Sequence, residues 1–182
     1  ITTLAGSAQP GAGGDGGSAR NAQFTELVGL ALDSQGALYV VDAPIHRVRV
    51  IGVDGVIRPF AGSGIDGRSG DGGPAIEAAL GFPQRVAIAP DGSVLITQLH
   101  EGAVRRVGID GVIDTLAGFN DSGVTSDKTA KQDLLDKPVG VVVDSSGNVY
   151  VVESGFGEIS RVAPDGTIRV IAGNPRGDGG SG

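Results

Sequence analysis

The residues best suited to chemistry in this 182-residue chain are two histidines, His46 and His100, and the aspartates Asp15, Asp71, Asp127 and Asp178, which recur beside glycines. Imidazole titrates near neutral pH and is a common metal ligand, but two copies fall short of a multi-histidine metal centre. Carboxylate oxygens suit calcium, which makes Asp15, Asp71 and Asp127 the calcium candidates. Their spacing fits no calcium loop: Asp66 and Asp71 are five apart and no Asp-x-Asp-x-Asp-Gly run exists. A carboxylate among glycines more simply accepts backbone N–H groups and orders its own loop. No cofactor is expected. The chain has no cysteine, which excludes thiolate nucleophiles, disulfides and Cys-ligated metals. It has no G-x-S-x-G elbow. Gly62-Ser-Gly64-Ile-Asp-Gly67 matches G-x-G-x-x-G in form only, because no helix opens from it and Gly6-Ser-Ala-Gln-Pro-Gly11 breaks the pattern. Asn120-Asp-Ser122 is a glycosylation sequon, meaningful only in a glycosylating secretory pathway.

These residues sit on a repeat. Ile1-Thr-Thr-Leu-Ala-Gly6 returns as Ile57-Arg-Pro-Phe-Ala-Gly62, as Ile113-Asp-Thr-Leu-Ala-Gly118 and as Ile168-Arg-Val-Ile-Ala-Gly173, a spacing of 55–56 residues. His46 and His100 do not share that spacing, so they are not equivalent positions. After each return comes a Gly-Asp-Gly-Gly loop, full at 13–17 and 70–73, stripped of glycines around Asp127, and shortened at 177–180. A short stretch follows, as in Pro74-Ala-Ile-Glu-Ala-Ala-Leu80, where one or two helical turns are expected with Pro74 at the first position. Phe24, Leu80 and Leu135 then align as an apolar anchor.

Three strands are expected next in each unit. They read Val28–Asp33, Leu38–Asp42 and Arg47–Ile51 in the first unit and Arg85–Pro90, Val94–Gln98 and Val104–Val107 in the second. In the third they read Val139–Asp144, Val149–Glu153 and Ile159–Val162. An Asp-Gly turn (Asp54-Gly55, Asp110-Gly111, Asp165-Gly166) leads into the next Ile-x-x-x-Ala-Gly segment as the fourth strand. Four short antiparallel strands per repeat describe a propeller blade, whose sheet buries its side chains by stacking on neighbours. The expected fold is all-β: three complete β-propeller blades with partial flanking repeats. The repeats run about 1–56, 57–112 and 113–167, with a partial one at 168–182.

Composition agrees. There are 33 glycines, 40% hydrophobic residues and only 4% aromatics, which suits tight turns between β-branched strands. The formal charge of −7 opposes nucleic-acid binding, which needs lysines and arginines to displace counterions. Arg47 with Arg49, and Arg105 with Arg106, are the places where a local basic patch is conceivable. No apolar run approaches the ~20 residues of a membrane-spanning helix, and no signal peptide is visible. There is no methionine, so Ile1 is not a retained initiator.

The run Pro138-Val-Gly-Val-Val-Val-Asp-Ser-Ser-Gly-Asn-Val-Tyr-Val-Val-Glu153 resembles the NHL repeat. So does His46-Arg-Val-Arg49, which follows the Asn-His-Arg-(Ile/Val)-Arg core of that family with Ile45 in place of the Asn. The Ile-x-Thr-Leu-Ala-Gly segments and the Gly-Asp-Gly-Gly-Pro-Ala insertion are similar to a long-loop subtype found in bacterial surface proteins and teneurins. The resemblance implies a propeller along the whole chain and says little of function, because the fold hosts unrelated roles. The second copy departs most: Asp33 becomes Ala89, Asp42 becomes Gln98, and His46 becomes Gly102.

In such a fold the loops from second to third strands share one face with the loops between blades. That rim carries Asp42, His46 and Arg47, then His100 and Glu101, then Glu153, Phe156 and Glu158, joined by the glycine-rich insertions. The expected function is a non-catalytic scaffold that binds protein or carbohydrate in a larger extracellular or envelope protein. The alternative is a structural array forming a surface stalk or filament by self-association through open blade edges, offered by a free strand at residues 1–5. A metal-dependent propeller hydrolase or lyase ranks third, because the inner strands present mainly Val, Ala, Leu and Gly. Three blades are fewer than the four to eight of a ring, so the chain is expected to belong to a longer array. A pair of chains forming a six-bladed ring is the other arrangement.

Overall fold

The computed structural model describes residues 1–118 and 129–173. It holds three antiparallel sheets in sequence. The first comprises β1 (Leu27–Leu32), β2 (Leu38–Asp42), β3 (Arg47–Ile51) and β4 (Ile57–Ala61). The second adds a two-residue strand, β5 (Gly73–Pro74), outside β9 (Val112–Ala117), followed inward by β8 (Ala103–Val107), β7 (Val94–Gln98) and β6 (Pro83–Ile88). The third is β10 (Pro138–Val143), β11 (Val149–Glu153), β12 (Glu158–Val162) and β13 (Ile168–Ala172). The expected four-strand blade order holds in all three, and the innermost strands β1, β6 and β10 are neighbours. The sheets do not close into a ring.

The hairpins follow from turn chemistry. In the first sheet the N–H of Gly55 bonds the carbonyl of Gly52 at 2.9 Å, and Gly55 takes φ +72°. A turn followed by a left-handed glycine matches the twist of the flanking strands. Gly111 and Gly166 repeat it at φ +79° and +84°. The glycine of the Ala-Gly signature has a stricter reason. Gly62 and Gly118 stand at φ +96° and +89°, and a Cβ on either would collide with the backbone carbonyl of His46 or Gly102. The strand ends here because the chain must pass that close to the preceding hairpin.

Stacking makes the core. Val41 and Val48 of the first sheet meet Val94, Ile96, Val107 and Ile113 of the second, with Leu80 between. Leu95 and Val104 of the second meet Val149, Val151 and Val162 of the third, with Leu135 between. Leu80 and Leu135 are the expected anchors and are fully buried, while Phe24 packs against the first cluster of this kind only in part.

Two local expectations change. The stretch after each insertion is a single 3-10 turn (Ala19–Asn21, Ala75–Glu77, Ala130–Gln132). Pro74 stands before the turn, in β5, paired with Val112. The insertion is being used as a strip that covers the edge of the outermost strand: Ser18 bridges Val56 and Thr129 bridges Thr167 at the same place. That leaves an exposed sheet edge partly paired. Residues 1–5 form no strand, since no third strand precedes them among the described residues. Asp127, Asp178, the sequon at Asn120 and the shortened loop at 177–180 lie outside the described residues.

Candidate functional site

Each β2–β3-type hairpin turns through a left-handed residue. In the second and third sheets it is Gly102 (φ +56°) and Gly157 (φ +68°); in the first it is His46 (φ +55°). A β-carbon in this region costs about 1 kcal/mol or more, so an imidazole is held where its counterparts are glycine. His46 points across to the second sheet. Its Nδ1 lies 3.0 Å from the Leu80 carbonyl and 3.3 Å from the N–H of Phe82. One ring nitrogen cannot serve both. The shorter contact selects Nδ1–H donating to Leu80; the other tautomer would accept from Phe82.

Phe82 is itself left-handed, at φ +47°, where a bulky residue is an outlier. That geometry lays its ring on His100: the centroids are 4.9 Å apart and the planes 18° from parallel. His46 meets the same ring at 6.3 Å, near edge-on. Asp66, from the insertion, spans both imidazoles, with Oδ2 3.0 Å from His100 Nδ1 and Oδ1 3.8 Å from His46 Nδ1. Glu101 faces Arg68 at 4.0 Å. Gly81 leaves space for them, as a Cβ there would lie 2.5 Å from Glu101 Cγ and 3.3 Å from Asp66 Oδ1. His100 and Asp66 each keep about half of their side chains in solvent. The result is a half-open patch with an aromatic floor, two imidazoles and two carboxylates, built where the first and second sheets meet.

The rim residues named from sequence divide. His46, His100 and Glu101 come together here, and Arg47 reaches the Ser63 carbonyl beside them at 3.2 Å. Asp42, Glu153 and Glu158 are turned into the sheets, at 0%, 0% and 2% exposure. Asp42 accepts from the backbone N–H groups of Thr25 and Glu26 and from the Thr25 hydroxyl, tying the chain that enters β1. Glu153 does the same for the N–H of Asp136 at 3.1 Å and also accepts from the Ser160 hydroxyl at 2.5 Å. Phe156 is half-buried in the third hairpin. Asp66 and Phe82 were not singled out for this site from sequence, because neither belongs to the repeated pattern.

The glycine-flanked aspartates have a partner that sequence reading also missed. Asp15 meets the fully buried Arg49 at 2.6 Å, and Asp71 meets the fully buried Arg105 at 2.5 Å. Arg49 also donates to the carbonyls of Gln23 and Gly13, and lies 5.0 Å over the Phe24 ring. Arg105 donates to Gln98 Oε1 and the Ala79 carbonyl, while Asp71 accepts the N–H of Thr115. These aspartates clamp the insertion onto its sheet, with a guanidinium where a calcium ion would have to sit. Among the described residues no group of three or more His, Asp or Glu is disposed to hold a metal. Arg49 and Arg105 are spent inside the sheets and Arg106 pairs with Asp91, so the arginine pairs seen in sequence form no basic patch.

No family model matches the chain. It is 28% identical over 162 residues to human teneurin-4, covering 77% of this chain and 6% of that protein. The same figures hold for teneurin-m of Drosophila melanogaster. The chain thus spans only about a sixteenth of the length of these relatives. Among solved structures, an auxiliary nutrient binding protein from Bacteroides thetaiotaomicron aligns with a TM-score of 0.64 and 15% identity, over 88% of this chain and 38% of that one. A gluconolactonase from Xanthomonas campestris gives 0.61 and 18%, over 84% and 48%. A chain of a nidogen/laminin complex gives 0.58 and 20%, over 83% and 49%. At these identities the structures speak for the fold alone, and together with the three stacked sheets they establish that this chain is all-β, of the β-propeller fold.

Proposed function

We propose that this chain is a non-catalytic, NHL-type propeller segment of the long-loop subtype that binds a protein or glycan ligand through the rim at the junction of its first and second sheets. One observation carries the reading. Five side chains, His46, Asp66, Phe82, His100 and Glu101, are brought together from three separate loops into one half-open patch, with an imidazole at the hairpin position where the other two sheets have glycine. The left-handed backbone recurs at Gly102, Gly157 and Lys137; the side chains that His46 and Phe82 carry on it do not. The hydrogen bonds of the two imidazoles go to Leu80 and Asp66, and among the described residues neither bonds a serine or threonine hydroxyl, which favours recognition over catalysis. The relatives are teneurins, and the structural neighbours include a nutrient binding protein and a protein complex; these support a binding role in an extracellular setting, alongside a lactonase that keeps an enzyme as the competing outcome.

The test is a glycan array and a panel of secreted and cell-surface ectodomains probed with this chain and with its Asp66→Asn/His100→Ala variant. The reading requires a ligand that the variant loses while its circular dichroism is unchanged. Equal binding by both, or metal-dependent lactone hydrolysis by the wild type, would overturn it.

A second reading, a self-continuing array of sheets, has its own observation. Leu30 is 69% exposed, whereas Val86 and Val141 at its position in the next two sheets are 6% and 8% exposed. At the other end Val152 is 43% exposed where Val41 and Thr97 are fully buried. The outer faces of the first and third sheets are therefore built for the stacking seen between them, and a further sheet of the same kind would cover each.

A further inference from the structure

The opposite face of the molecule, formed by the β1–β2-type turns, carries a pocket that the rim does not explain. On the first sheet, Tyr39 stands opposite Ala31 in the strand ladder and meets Phe60 edge-to-face, centroids 4.8 Å apart at 86°. This aromatic pair packs on the second sheet, together with the core around Val94 and Val107. The tyrosine hydroxyl is bonded to Asp33, and burial together with that carboxylate pushes its acidity down, raising the pKa. The third sheet repeats the device: Tyr150 stands opposite Val142 and donates to Asp144 at 3.0 Å.

The second sheet lacks all of it. Leu95, opposite Ala87, replaces the tyrosine; Leu116 replaces the phenylalanine; Ala89 replaces the aspartate. Between the second and third sheets there is a half-open pocket of about 310 Å³, whose apolar wall is Ala89, Leu95, Leu116, Val143, Val149 and Val162 and whose open side carries Asp91, Ser93, Arg106 and the serines of the β10–β11 turn. A wider groove of about 690 Å³ runs across the β1–β2-type turns of all three sheets; it reaches Tyr39, Phe60 and Val94 but not Val107. In the second junction Val162, the counterpart of Val107, is part of the wall. A ring's worth of side chain is missing there and the space has not collapsed. An apolar cavity of about 150 Å³ holds benzene, so a substituted ring fits. At the mouth Arg106 is paired with Asp91 and donates to Ser93 at 3.0 Å, a donor and acceptor side by side.

We propose that this pocket binds a phenolic ring, with the ring taking the place of the missing tyrosine between the second and third sheets and the hydroxyl at the Asp91–Arg106 pair. The site is separate from the rim and stands whether or not the rim binds a ligand. The source of the phenol is a small molecule or a tyrosine carried on another chain, and the two are separable in the assay.

The experiment is a titration of this chain with p-cresol, followed by NMR at the methyl groups of Leu116, Val149 and Val162. Saturable shifts at these methyls are expected, with cyclohexanol at least about tenfold weaker, equivalent to about 1.4 kcal/mol. Leu116→Phe, which restores the residue of the first sheet, should weaken p-cresol by at least about tenfold, while the volume-conserving Leu116→Met keeps it. N-acetyl-tyrosinamide run in parallel distinguishes the sources: affinity equal to p-cresol assigns the site to tyrosine on a chain, and weaker affinity to a free phenol. No saturation by p-cresol, equal binding of cyclohexanol, or unchanged binding in a folded Leu116→Phe would overturn the proposal.

Discussion

The second and third sheets share strand order and hairpin geometry, yet hold their polar interiors differently. In the second, buried Arg105 reaches out to Asp71 and so clamps the 62–80 insertion onto the sheet. In the third, the position of Arg105 is taken by Ser160, which faces Val151 as Arg105 faces Ile96 and turns its hydroxyl to Glu153. The first sheet follows the second, with Arg49 and Asp15. The glycine-rich loop is intact in the two copies that keep the arginine, and it loses its glycines in the copy that has serine. The clamp and the loop go together. The physical reason is that a buried guanidinium needs a carboxylate and carbonyls brought to it, and only a glycine-rich loop folds tightly enough to bring them. The clamped 62–80 insertion is also the one that delivers Asp66 to the histidines.

Four experiments break or sharpen that contrast. The largest effect is expected from Asp71→Ala, which strands Arg105 at 0% exposure. The loss should be about 2–4 kcal/mol, toward the low side of a buried-pair breakage because Asp71 is one-third exposed. The double variant Asp71→Ala/Arg105→Met should recover most of it, measured by urea denaturation. Recovery would show that the cost is the stranded charge; none would place the stability in the loop itself. Next is Ser160→Ala in the third sheet, which removes one hydrogen bond to a buried carboxylate and should cost about 1.5 kcal/mol by the same assay. A cost equal to that of Asp71→Ala would erase the distinction between the sheets.

His46→Gly adopts the residue of the other two hairpins. It should raise stability by about 1 kcal/mol through relief of the left-handed backbone, while weakening ligand binding at the rim. A destabilised variant would mean that the Leu80 and Phe82 contacts outweigh the strain. The smallest effect is on acid stability. Asp54, bonded to Arg58 and the N–H of Val56, has its pKa lowered from 3.8 to about 2. Asp91, Asp144 and Asp165 are shifted down too, first by side-chain bonds from Ser93 and Asn148 and by the N–H of Thr167 respectively. A carboxyl whose folded pKa is depressed stabilises the fold above its unfolded value and loses that contribution as pH falls through the folded one. Stability should therefore fall between about pH 4 and pH 2, and Asp54→Asn should flatten part of that slope in a series of denaturation midpoints. These turns occur in all three sheets, so the acid response should not discriminate between the two arginine-bearing blades and the serine-bearing one.

Much of the fold was legible because it repeats. Three of the four copies of Ile-x-x-x-Ala-Gly, ending at Gly62, Gly118 and Gly173, mark a strand end where only glycine passes the preceding hairpin, and Asp-Gly marks every outer turn. The clamp was half legible. Asp15 and Arg49 are 34 residues apart, as are Asp71 and Arg105. That shared spacing was readable, but it also returns between Asp127 and Arg161, so only the strand register, which sets Ser160 at the arginine's position, shows that the third copy differs, and an arginine in an apolar strand looks like a surface charge until its neighbours are known. The rim was less legible for the opposite reason. His46, Asp66, Phe82 and His100 occupy positions that do not match from copy to copy, so alignment of repeats hides them. Asp42 and Glu153 were legible as recurring acids, yet their recurrence reflects backbone groups to be satisfied at each strand entry.

The most direct measurement of the central claim is the affinity of the array-identified ligand for two matched variants, Asp66→Asn/His100→Ala at the first junction and Phe156→Ala in the third hairpin. The account predicts at least about a tenfold loss, about 1.4 kcal/mol, for the first and little change for the second. Loss confined to the Phe156→Ala variant would contradict it and move the binding surface to the third sheet.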